Sequence, residues 1–334
     1  MHYQIFKSSD TNVSKFVFEK EAQDGLKGIA VEAVLYRYNS YQERTVICCS
    51  TQSGCPVGCI FCGTGKFFVR SLIADEIVEQ IDVALSTIDC DPWSIRKFQI
   101  MFMSMGEPFL NYDEVKKAII ILNDKYPNAQ LLISTTAPAH FIDKHFNDFT
   151  ELSRNIPQIG IQFSIHESSD VARKRLIPSL TTSIQDIGAL GENWAKATGR
   201  KPFFNYCVHE GNNTYDDVLR LSENLNPDVW ECTLSVICEK DNTVKNAIEQ
   251  KLDLITTFAD RMNSAGYSLR VFNPAGQDDI GGGCGQLWYF QEWLKKQEAI
   301  EYECTNNNPY GLKEYRDGCT QNCNECEYYQ PIKK

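Results

Sequence analysis

The sequence contains no long hydrophobic run and comparatively little positive charge. No stretch of about 18 consecutive apolar residues, the length that marks a membrane-spanning helix, occurs among its 334 residues. The N-terminal segment, MHYQIFKSSD, lacks the basic and apolar regions of a secretory signal peptide. We therefore expect neither a membrane span nor a membrane partner.

The charge balance is acidic, with 33 Lys and Arg against 44 Asp and Glu and a net charge of −11. Affinity for RNA comes mainly from basic side chains that neutralise phosphates, so RNA binding would require basic residues to be concentrated locally. Arg173-Lys174-Arg175 and Arg200-Lys201 are the candidate clusters, although a run of charges is more often a solvated surface. Charge alone neither establishes nor excludes an RNA substrate.

Cysteine, by contrast, is abundant, with 14 residues. Disulfide-stapled scaffolds are typical of chains shorter than about 100 residues. This chain is longer and, with 43% apolar residues, can bury a barrel-sized core without disulfides. Clustered cysteines in such a chain indicate metal binding in a reducing compartment, so we expect a cytoplasmic protein.

The densest cysteine cluster is formed by Cys55, Cys59 and Cys62, on a loop that contains Gly54 and Gly58. Thiolates are soft ligands that favour zinc or iron–sulfur clusters. A zinc site needs four ligands and would have to recruit the fourth from elsewhere, whereas three thiolates on a four-iron cluster leave one iron open to a non-protein ligand. The spacing favours a cluster over zinc and over three unligated, buried cysteines.

Strand and helix patterns alternate after residue 43. Short β-branched and aromatic runs predict strands, and apolar residues recur between them with helical spacing. The predicted strands are Val46–Cys49, Phe98–Met103, Gln130–Ser134, Gln158–Ser164, Phe203–Val208, Cys232–Ile237 and Leu269–Phe272, and the predicted helices include Ala74–Thr87, Val115–Leu122, Asp217–Leu225 and Ala247–Met262. This alternation predicts an α/β fold with a parallel sheet and outer helices. Residues 1–43 are predicted to form short strands with a turn.

Chemically distinctive residues follow four of the predicted strands. The cysteine loop follows the first strand, Gly106-Glu107-Pro108 follows the second, Ser134 ends the third and His166 follows the fourth. Residues at the carboxyl ends of parallel strands gather on one face, so these segments predict a single pocket. Taken singly, the Gly-Glu-Pro turn would be an ordinary connection and His166 a structural histidine.

The run from Arg44 to Lys66, RTVICCSTQSGCPVGCIFCGTGK, resembles the cluster-binding region of the radical S-adenosylmethionine (SAM) superfamily. Within that superfamily it is similar to the RlmN/Cfr family of RNA adenine methyltransferases. The resemblance implies a partial (βα)6 radical SAM barrel. It also implies that Cys55, Cys59 and Cys62 hold a 4Fe-4S cluster whose open iron binds SAM.

Three further segments resemble SAM-binding parts of the family. MSMGEPFLNYDEV is similar to the family's GMGEPLLNYD, LLISTT resembles its STSG strand end, and FSIHESSDVARKRLIP resembles its SLH segment. The aromatic residue before the last cluster cysteine is expected beside the adenine of SAM, with a place in the core as the alternative. The resemblance thus implies the following SAM-contacting residues: Gly106, Glu107, Ser134, Ser164, Ile165, His166 and Phe61.

Two more cysteines and a glutamate match catalytic residues of the family. Cys284, in the glycine-rich run GGGCGQL, matches the cysteine that becomes S-methylated, and Cys48 matches the cysteine that later forms a disulfide with it. Glu32, in VEAV, matches the family's catalytic base, with the solvent face of a strand as the alternative. The resemblance implies that a radical made from a second SAM activates the methyl group on Cys284, which then adds to carbon 2 or carbon 8 of adenine.

The chain also departs from the family pattern. It begins close to the strand before Arg44, so we expect it to lack the family's N-terminal RNA-binding domain. The family's NPF segment and the arginine of its RGDDI segment have no counterparts. The C-terminal tail adds Cys304, Cys319, Cys323 and Cys326, four thiols that predict a second metal site, either zinc or an iron–sulfur cluster.

These patterns predict three regions: an N-terminal β extension (1–43), a radical SAM barrel (44–290) and a C-terminal Cys-rich, metal-binding extension (291–334). The favoured function is a two-cysteine radical SAM methyltransferase acting on RNA (rRNA or tRNA) at an unstacked adenine. It would take electrons from a donor such as flavodoxin or ferredoxin. The alternatives are a radical SAM enzyme acting on a peptide or small molecule, and a non-catalytic iron–sulfur or zinc protein.

Overall fold

A computed structural model of the chain describes residues 1–23, 25–65, 67–236, 245–272, 280–282, 286–287, 289–293, 302–304 and 329–331. The chain divides into two compact units, Met1–Phe290 and Gln291–Lys334. In the second unit, β13 (Tyr302–Cys304) and β14 (Tyr329–Pro331) form an antiparallel pair. The proposed boundaries of the three regions remain predictions.

One ten-stranded sheet organises the first unit. Three N-terminal strands, β1 (His2–Lys7), β2 (Val13–Lys20) and β3 (Ile29–Tyr38), form an antiparallel meander. The third strand pairs antiparallel with β4 (Arg44–Cys49), which begins a parallel array. That array continues with β7 (Lys97–Phe102), β8 (Ala129–Thr135), β9 (Ile159–Ser164), β10 (Phe203–Val208), β11 (Glu231–Val236) and β12 (Ser268–Val271). The predicted α/β fold with a parallel sheet is confirmed.

Helices connect the parallel strands. They are α1 (Ala74–Ser86), α2 (Tyr112–Lys125), α3 (Ala139–Asn155), α4 (Asp170–Leu176), α5 (Ile184–Thr198), α6 (Tyr215–Asn224) and α7 (Lys245–Ser264). The first helix begins where predicted, and the Glu76 carboxylate accepts a hydrogen bond from the backbone N–H of Ile73 at that end. Helix α2 starts at Tyr112, three residues before the predicted start, because polar residues in its first turn lie outside the apolar stripe that marks the pattern.

Alternation along the strands separates the core from an interior cavity. On β7, Phe98, Ile100 and Phe102 are fully buried, whereas Gln99 and Met101 face the cavity. On β4, Ile47 and Cys49 are buried, and Val46 and Cys48 line the cavity. The strands therefore bury one face against the helices and line the cavity with the other.

A small hairpin lies outside the main sheet. It consists of β5 (Gln52–Gly54) and β6 (Phe68–Ser71), paired antiparallel, and the cysteine loop lies between its two strands. Within the described part of the chain, no helix is both long enough and apolar enough to cross a lipid bilayer.

Candidate active site

The hairpin closes the base of the cysteine loop. The Cys55 N–H donates to the carbonyl oxygen of Phe67 at 2.6 Å, and Gly54 approaches the same carbonyl so closely that a Cβ would lie 2.1 Å from the oxygen. Gly54 also has a φ of +78°, a conformation that L side chains rarely adopt. Only glycine fits at this position, and it holds the two ends of the loop together.

The three predicted cluster ligands share one electrostatic environment. Burial raises the pKa of Cys55 to about 12, with further contributions from Cys62 and Glu107. Burial also raises the pKa of Cys59, to which Cys62, Cys55 and Glu107 all add. The thiols of Cys55 and Cys59 therefore need a positively charged partner before they can ionise. A cluster of iron ions supplies such charge, so the donor set fits the implied cofactor.

Glu107 is buried beside the end of β8. Its Oε1 accepts hydrogen bonds from the Thr135 hydroxyl at 2.7 Å and the Phe109 N–H at 3.1 Å. Its Oε2 accepts from the Thr136 N–H at 2.7 Å and the Thr136 hydroxyl at 2.8 Å. Burial raises the pKa of the carboxyl, and these four donors oppose the rise. Glu107 thus fixes the strand end that carries Ser134.

Gly106 allows this arrangement. A Cβ on Gly106 would lie 2.6 Å from Cβ of Gln52 and 2.8 Å from its backbone nitrogen, and the φ of Gly106 is +92°. The Gln52 side chain accepts a hydrogen bond from the Glu107 N–H at 2.9 Å. The Gly-Glu-Pro turn therefore packs directly on β5, the strand that leads into the cysteine loop. Sequence reasoning missed Gln52, because a single glutamine before the motif carries no distinctive pattern.

His166 and Phe61 lie together, as expected for one pocket. Their rings meet edge to face, with centroids 5.3 Å apart. Burial, together with the smaller effect of the charge on Arg173, lowers the pKa of His166 to about 3, so the imidazole is neutral. His166 has a φ of +61°, and its buried Nδ1 has no hydrogen-bond partner among the described residues. An unsatisfied buried nitrogen is costly, and a polar group of a bound cofactor would relieve that cost.

Ser164 and Ile165 precede His166 at the end of β9. Ile165 is fully buried, and its N–H and that of His166 both donate to the carbonyl of Asn205 on β10. The Ser164 carbonyl accepts from the guanidinium of Arg173 at 3.0 and 3.3 Å. The predicted SAM-contacting residues therefore occupy neighbouring strand ends.

Arg173 corrects one expectation from the sequence. Its side chain is buried, with 1% of the residue exposed. In addition to Ser164, the guanidinium donates to the carbonyls of Thr136 at 2.8 Å and Thr182 at 3.0 Å. Arg200 likewise donates to the carbonyls of Pro157, Ile159 and Ser153. Neither arginine is a solvated surface charge, and neither is available for an RNA phosphate.

Glu32 is buried rather than on a solvent face, so that alternative is wrong. Only 1% of the residue is exposed. Its Oε2 lies 3.0 Å from Nζ of Lys15, which is also buried, and its Oε1 accepts the N–H of Phe290 at 2.8 Å. Lys15 was not identified from the sequence. Its position on β2 pairs with Val34 on β3, and only the pairing of the two strands brings it to Glu32.

Cys48 and Glu32 line the same small pocket. The other lining residues include Tyr36, Met103, Ser104, Gly281, Gly282 and Leu287. The Tyr36 hydroxyl donates to the carbonyl of Gly282 at 2.7 Å. Burial raises the pKa of Cys48 to about 12, so its thiol is protonated at neutral pH. The pocket therefore combines a buried carboxylate, a protonated thiol and residues on both sides of position 284.

Some predicted site residues lie outside the described residues. They are Cys284, Cys319, Cys323 and Cys326. Cys304 belongs to β13, and the roles of all five remain predictions. Among the cysteines without a predicted role, Cys49, Cys207 and Cys232 are buried, whereas Cys90 is partly exposed.

Comparison with known proteins places this site in a family. The model of the radical SAM superfamily matches residues 49–182, a range that includes the cysteine loop, Glu107 and His166. A protein named as a probable dual-specificity RNA methyltransferase RlmN, from Desulfitobacterium hafniense, is 30% identical over 290 residues, which cover 81% of this chain and 78% of the relative. The chain belongs to the RlmN family of radical SAM methyltransferases.

A second relative and a solved structure are also similar to this chain. The ribosomal RNA large subunit methyltransferase N of Nitrosopumilus maritimus is 33% identical over 221 residues, covering 63% of this chain and 59% of the relative. This RlmN-family chain thus spans less than two thirds of that relative's length. A solved radical SAM methyltransferase from Sphaerobacter thermophilus superposes with a TM-score of 0.66 at 24% identity, covering 85% of this chain and 79% of that one, and therefore shares its fold.

Proposed function

We propose that this RlmN-family chain methylates an adenine of RNA by the two-cysteine route, with Cys284 as methyl carrier and Cys48 as resolving thiol. The observation that carries the proposal is the pocket lined by Glu32, Cys48 and the residues on both sides of position 284. These groups come from segments about 250 residues apart in the sequence, and a non-catalytic metal protein would have no use for their convergence.

The cofactors implied by the family fit the residues around this pocket. Cys55, Cys59 and Cys62 would hold the cluster, and Gly106, Glu107, Ser134, Ser164, Ile165 and His166 would contact SAM, with Phe61 beside its adenine. When bound, these cofactors would supply both the methyl group and the one-electron chemistry that activates it. The neutral His166 and the fixed end of β8 would orient SAM without adding positive charge next to its sulfonium.

The chain's own acid and base would manage the proton and the thiols. Cys48 must lose its proton before its sulfur can attack, and its raised pKa means that a base must assist. Glu32 lies in the same pocket, where its side chain pairs with that of Lys15. It is therefore placed to accept a proton from the adenine or from Cys48. Cys48 would then form a disulfide with Cys284 as the methylated adenine leaves.

RNA is the proposed substrate because the relatives carry RNA methyltransferase names. Ribosomal RNA and transfer RNA are the candidate classes, with carbon 2 or carbon 8 as the target. An adenine inside a helix is shielded by stacking, so the substrate would present it in a loop or bulge. We further propose a flavodoxin or ferredoxin as electron donor, a cytoplasmic location and a second metal bound by the C-terminal cysteines.

Two measurements test the proposal. After anaerobic incubation with SAM, mass spectrometry of the protein should find one added methyl group on Cys284. In a Cys48→Ala variant, incubation with SAM, reductant and total cellular RNA should trap RNA covalently on Cys284, since the resolving thiol is absent. A protein with a methylated Cys284 that crosslinks peptides or small molecules instead of RNA would contradict the RNA assignment.

A further inference from the structure

The interior cavity of the sheet extends from Cys48 to two arginines. Arg44, Val46 and Cys48 alternate along β4 and therefore face the same side. Together with Arg270 on β12, they line a cavity of about 270 Å³. Cys48 lies four residue steps along β4 from Arg44, which corresponds to about 13 Å of strand. The cavity is thus a slot with a thiol at one end and guanidinium groups at the other.

Each guanidinium is held in place by an aromatic ring and a neutral acceptor. Arg44 lies over the ring of Tyr38 at 4.2 Å from its centroid and donates to Oε1 of Gln99 at 3.1 and 3.3 Å. Arg270 lies 4.5 Å from the ring centroid of Phe203 and donates through Nε to the Thr233 hydroxyl at 3.2 Å. These contacts occupy part of the five N–H donors of each guanidinium and fix its plane.

Neither arginine has a carboxylate partner. Within the described ranges, no Asp or Glu oxygen lies within 4.0 Å of a nitrogen of Arg44 or Arg270 (the ion pairs of that part of the chain all involve other residues). Lys97 pairs with Arg44 in the register of β4 and β7, and it adds a third positive charge nearby. These positive charges lie close together in a chain whose net charge is −11.

One carboxylate lies close to the positive charges of Arg44, Arg270 and Lys97. Glu231, on β11, lines an adjoining cavity together with Lys97 and Arg270. In the register of β11 and β12, Arg270 pairs with Thr233, whereas Glu231 pairs with Ser268. Glu231 therefore lies two residues farther from the thiol end, and it does not line the slot that contains Cys48. Lys97 does not line that slot either, so the charged side chains that face the slot are those of Arg44 and Arg270.

The walls between the two ends suit a nucleotide. Tyr36, Tyr38, Met101 and Met103 offer flat or adaptable apolar surfaces, and Gln99, Gln162, Asn205, Thr233 and Ser235 offer donors and acceptors. Aromatic side chains stack on nucleobases, and the planar fork of an arginine matches two oxygens of a phosphate. Of the two other candidate clusters, Arg173 and Arg200 are committed to backbone carbonyls, whereas Lys174, Arg175 and Lys201 are exposed to solvent.

We propose that Arg44 and Arg270 form a binding site for one backbone phosphate of the nucleic-acid substrate, next to the adenine that reaches Cys48. This inference rests on the proposed function for the identity of the substrate. It adds a specific contact that would select a phosphate-bearing strand over a peptide or a neutral small molecule. An acidic chain can bind RNA in this way because two guanidinium groups face the slot and no carboxylate lines it.

The test combines two variants with a chemical change in the substrate. Binding of a short single-stranded RNA with one adenine is measured by fluorescence anisotropy for the wild-type protein and for Arg44→Gln and Arg270→Gln. In a matched set of strands, each phosphate near the adenine is replaced in turn by an uncharged methylphosphonate. For the wild type, one replacement should weaken binding about tenfold, the cost of one charged hydrogen-bonded contact. In either arginine variant, the same methylphosphonate replacement should not weaken binding any further.

Controls separate this site from general charge effects. Arg96→Gln removes an exposed arginine next in sequence to Lys97 that pairs with Glu43 at 3.5 Å, and it should retain the methylphosphonate penalty. Arg44→Lys keeps the positive charge but lacks the paired N–H donors of the guanidinium. It should therefore recover only part of the affinity that Arg44→Gln loses. Loss of this one phosphate contact should also reduce the magnitude of the salt-dependence slope by about 0.7.

Three outcomes would overturn the inference. The first is an equal methylphosphonate penalty in the wild type and both slot variants. The second is no penalty at any position in the wild type. The third is an equal affinity and penalty when the adenine is replaced by an abasic site, since the arginines would then hold phosphate without a base in the slot. Methylation of Cys284 needs no RNA, so its presence or absence tests the proposed function separately.

Discussion

Nζ of Lys15 lies 3.0 Å from Oε2 of Glu32, and both side chains are almost completely buried. Each charge would be costly to bury without the other. The pair lies where the N-terminal meander meets the pocket of Cys48. The residue that matches the family's catalytic base is therefore held as one half of a buried ion pair, and its partner comes from a strand outside the parallel array.

Removing Lys15 should destabilise the protein more than removing both partners. Lys15→Met leaves the Glu32 carboxylate buried without its counter-charge, and we expect the free energy of unfolding to fall by about 3–5 kcal/mol. Lys15→Met combined with Glu32→Gln should recover most of that loss, because no unpaired charge remains. Urea denaturation of the two single variants and the double variant measures the coupling. Purely additive losses would show that the two side chains do not interact.

Cys48 should be unreactive at neutral pH. Its pKa of about 12 and its burial leave almost no accessible thiolate, so iodoacetamide should label it far more slowly than the partly exposed Cys90. Labelling should accelerate as the pH rises toward that pKa. Peptide mass spectrometry after timed labelling measures both rates, and labelling in denaturant provides the control. Rates for Cys48 and Cys90 that agree within about twofold at pH 7 would contradict the raised pKa.

Glu76 should make the free energy of unfolding depend on pH in the acid range. Burial by itself would raise its pKa, but hydrogen bonds from Arg70 and Lys20 outweigh burial and lower it to about 2. A lowered carboxyl pKa stabilises the fold above the ordinary value of 4.5, and that stability is lost as the pH falls through about 2. Glu76→Gln should cost about 2 kcal/mol at pH 7.

The pH profile supplies the control for that prediction. If the ion pairs act as described, the difference in unfolding free energy between the wild type and Glu76→Gln should shrink steadily from pH 5 to pH 2, as measured by urea denaturation. Exposed pairs should contribute little to such a profile, so Glu151→Gln, which removes the pair with Arg154, should leave it unchanged. A constant difference across this range would argue against a lowered pKa.

Gly106→Ala should disturb both stability and SAM binding. The new Cβ would meet the backbone nitrogen and the side chain of Gln52 at 2.6–2.8 Å, so the turn that carries Glu107 must shift. We expect a loss of about 2–3 kcal/mol, from the clash and the positive φ together. Gly25→Ala is a matched control, since Gly25 has a φ of +78° with nothing within 4 Å, and it should cost only about 1–2 kcal/mol.

SAM binding distinguishes a local effect from a global one. Equilibrium dialysis with the reconstituted protein should show weaker binding in Gly106→Ala and unchanged binding in Gly25→Ala. Equal losses of stability in the two variants would mean that the contact with Gln52 relaxes without cost.

The C-terminal cysteines should bind metal. Cys319→Ala should lower the metal content of the purified protein, because a four-thiolate site that loses one ligand holds zinc or iron much less tightly. Elemental analysis for zinc and iron identifies the metal, and Cys90→Ala controls for the loss of an unrelated thiol. Metal content that matches the wild type would rule out this site.

The sequence predicted the elements of the sheet well because each strand carries its own apolar run. Phe203–Val208 was predicted with the observed ends, and for five of the other six parallel strands both ends lie within one residue of the prediction. Helices α3 to α5 were not assigned individually, since their polar residues dilute the apolar stripe. The candidate cysteines, Glu107 and His166 were found from motifs in which neighbouring residues carry the signal.

Long-range partners could not be predicted in the same way. Lys15, Gln52 and Arg173 have ordinary sequence surroundings, and each acquires its role from a residue on another strand or loop. Arg173 shows the difficulty most clearly. Its basic neighbours suggested a surface patch, but the fold turns its guanidinium inward to three backbone carbonyls.

The sequence by itself determined which reactive and ligand-binding groups this protein carries, because cysteine spacing and glycine positions are properties of short segments. Only the tertiary structure decided which charges meet. It buried Lys15 against Glu32 and left Arg44 and Arg270 facing a cavity without a carboxylate. The physical reason is that electrostatic partners are set by distance in space and by burial, and local sequence patterns determine neither quantity.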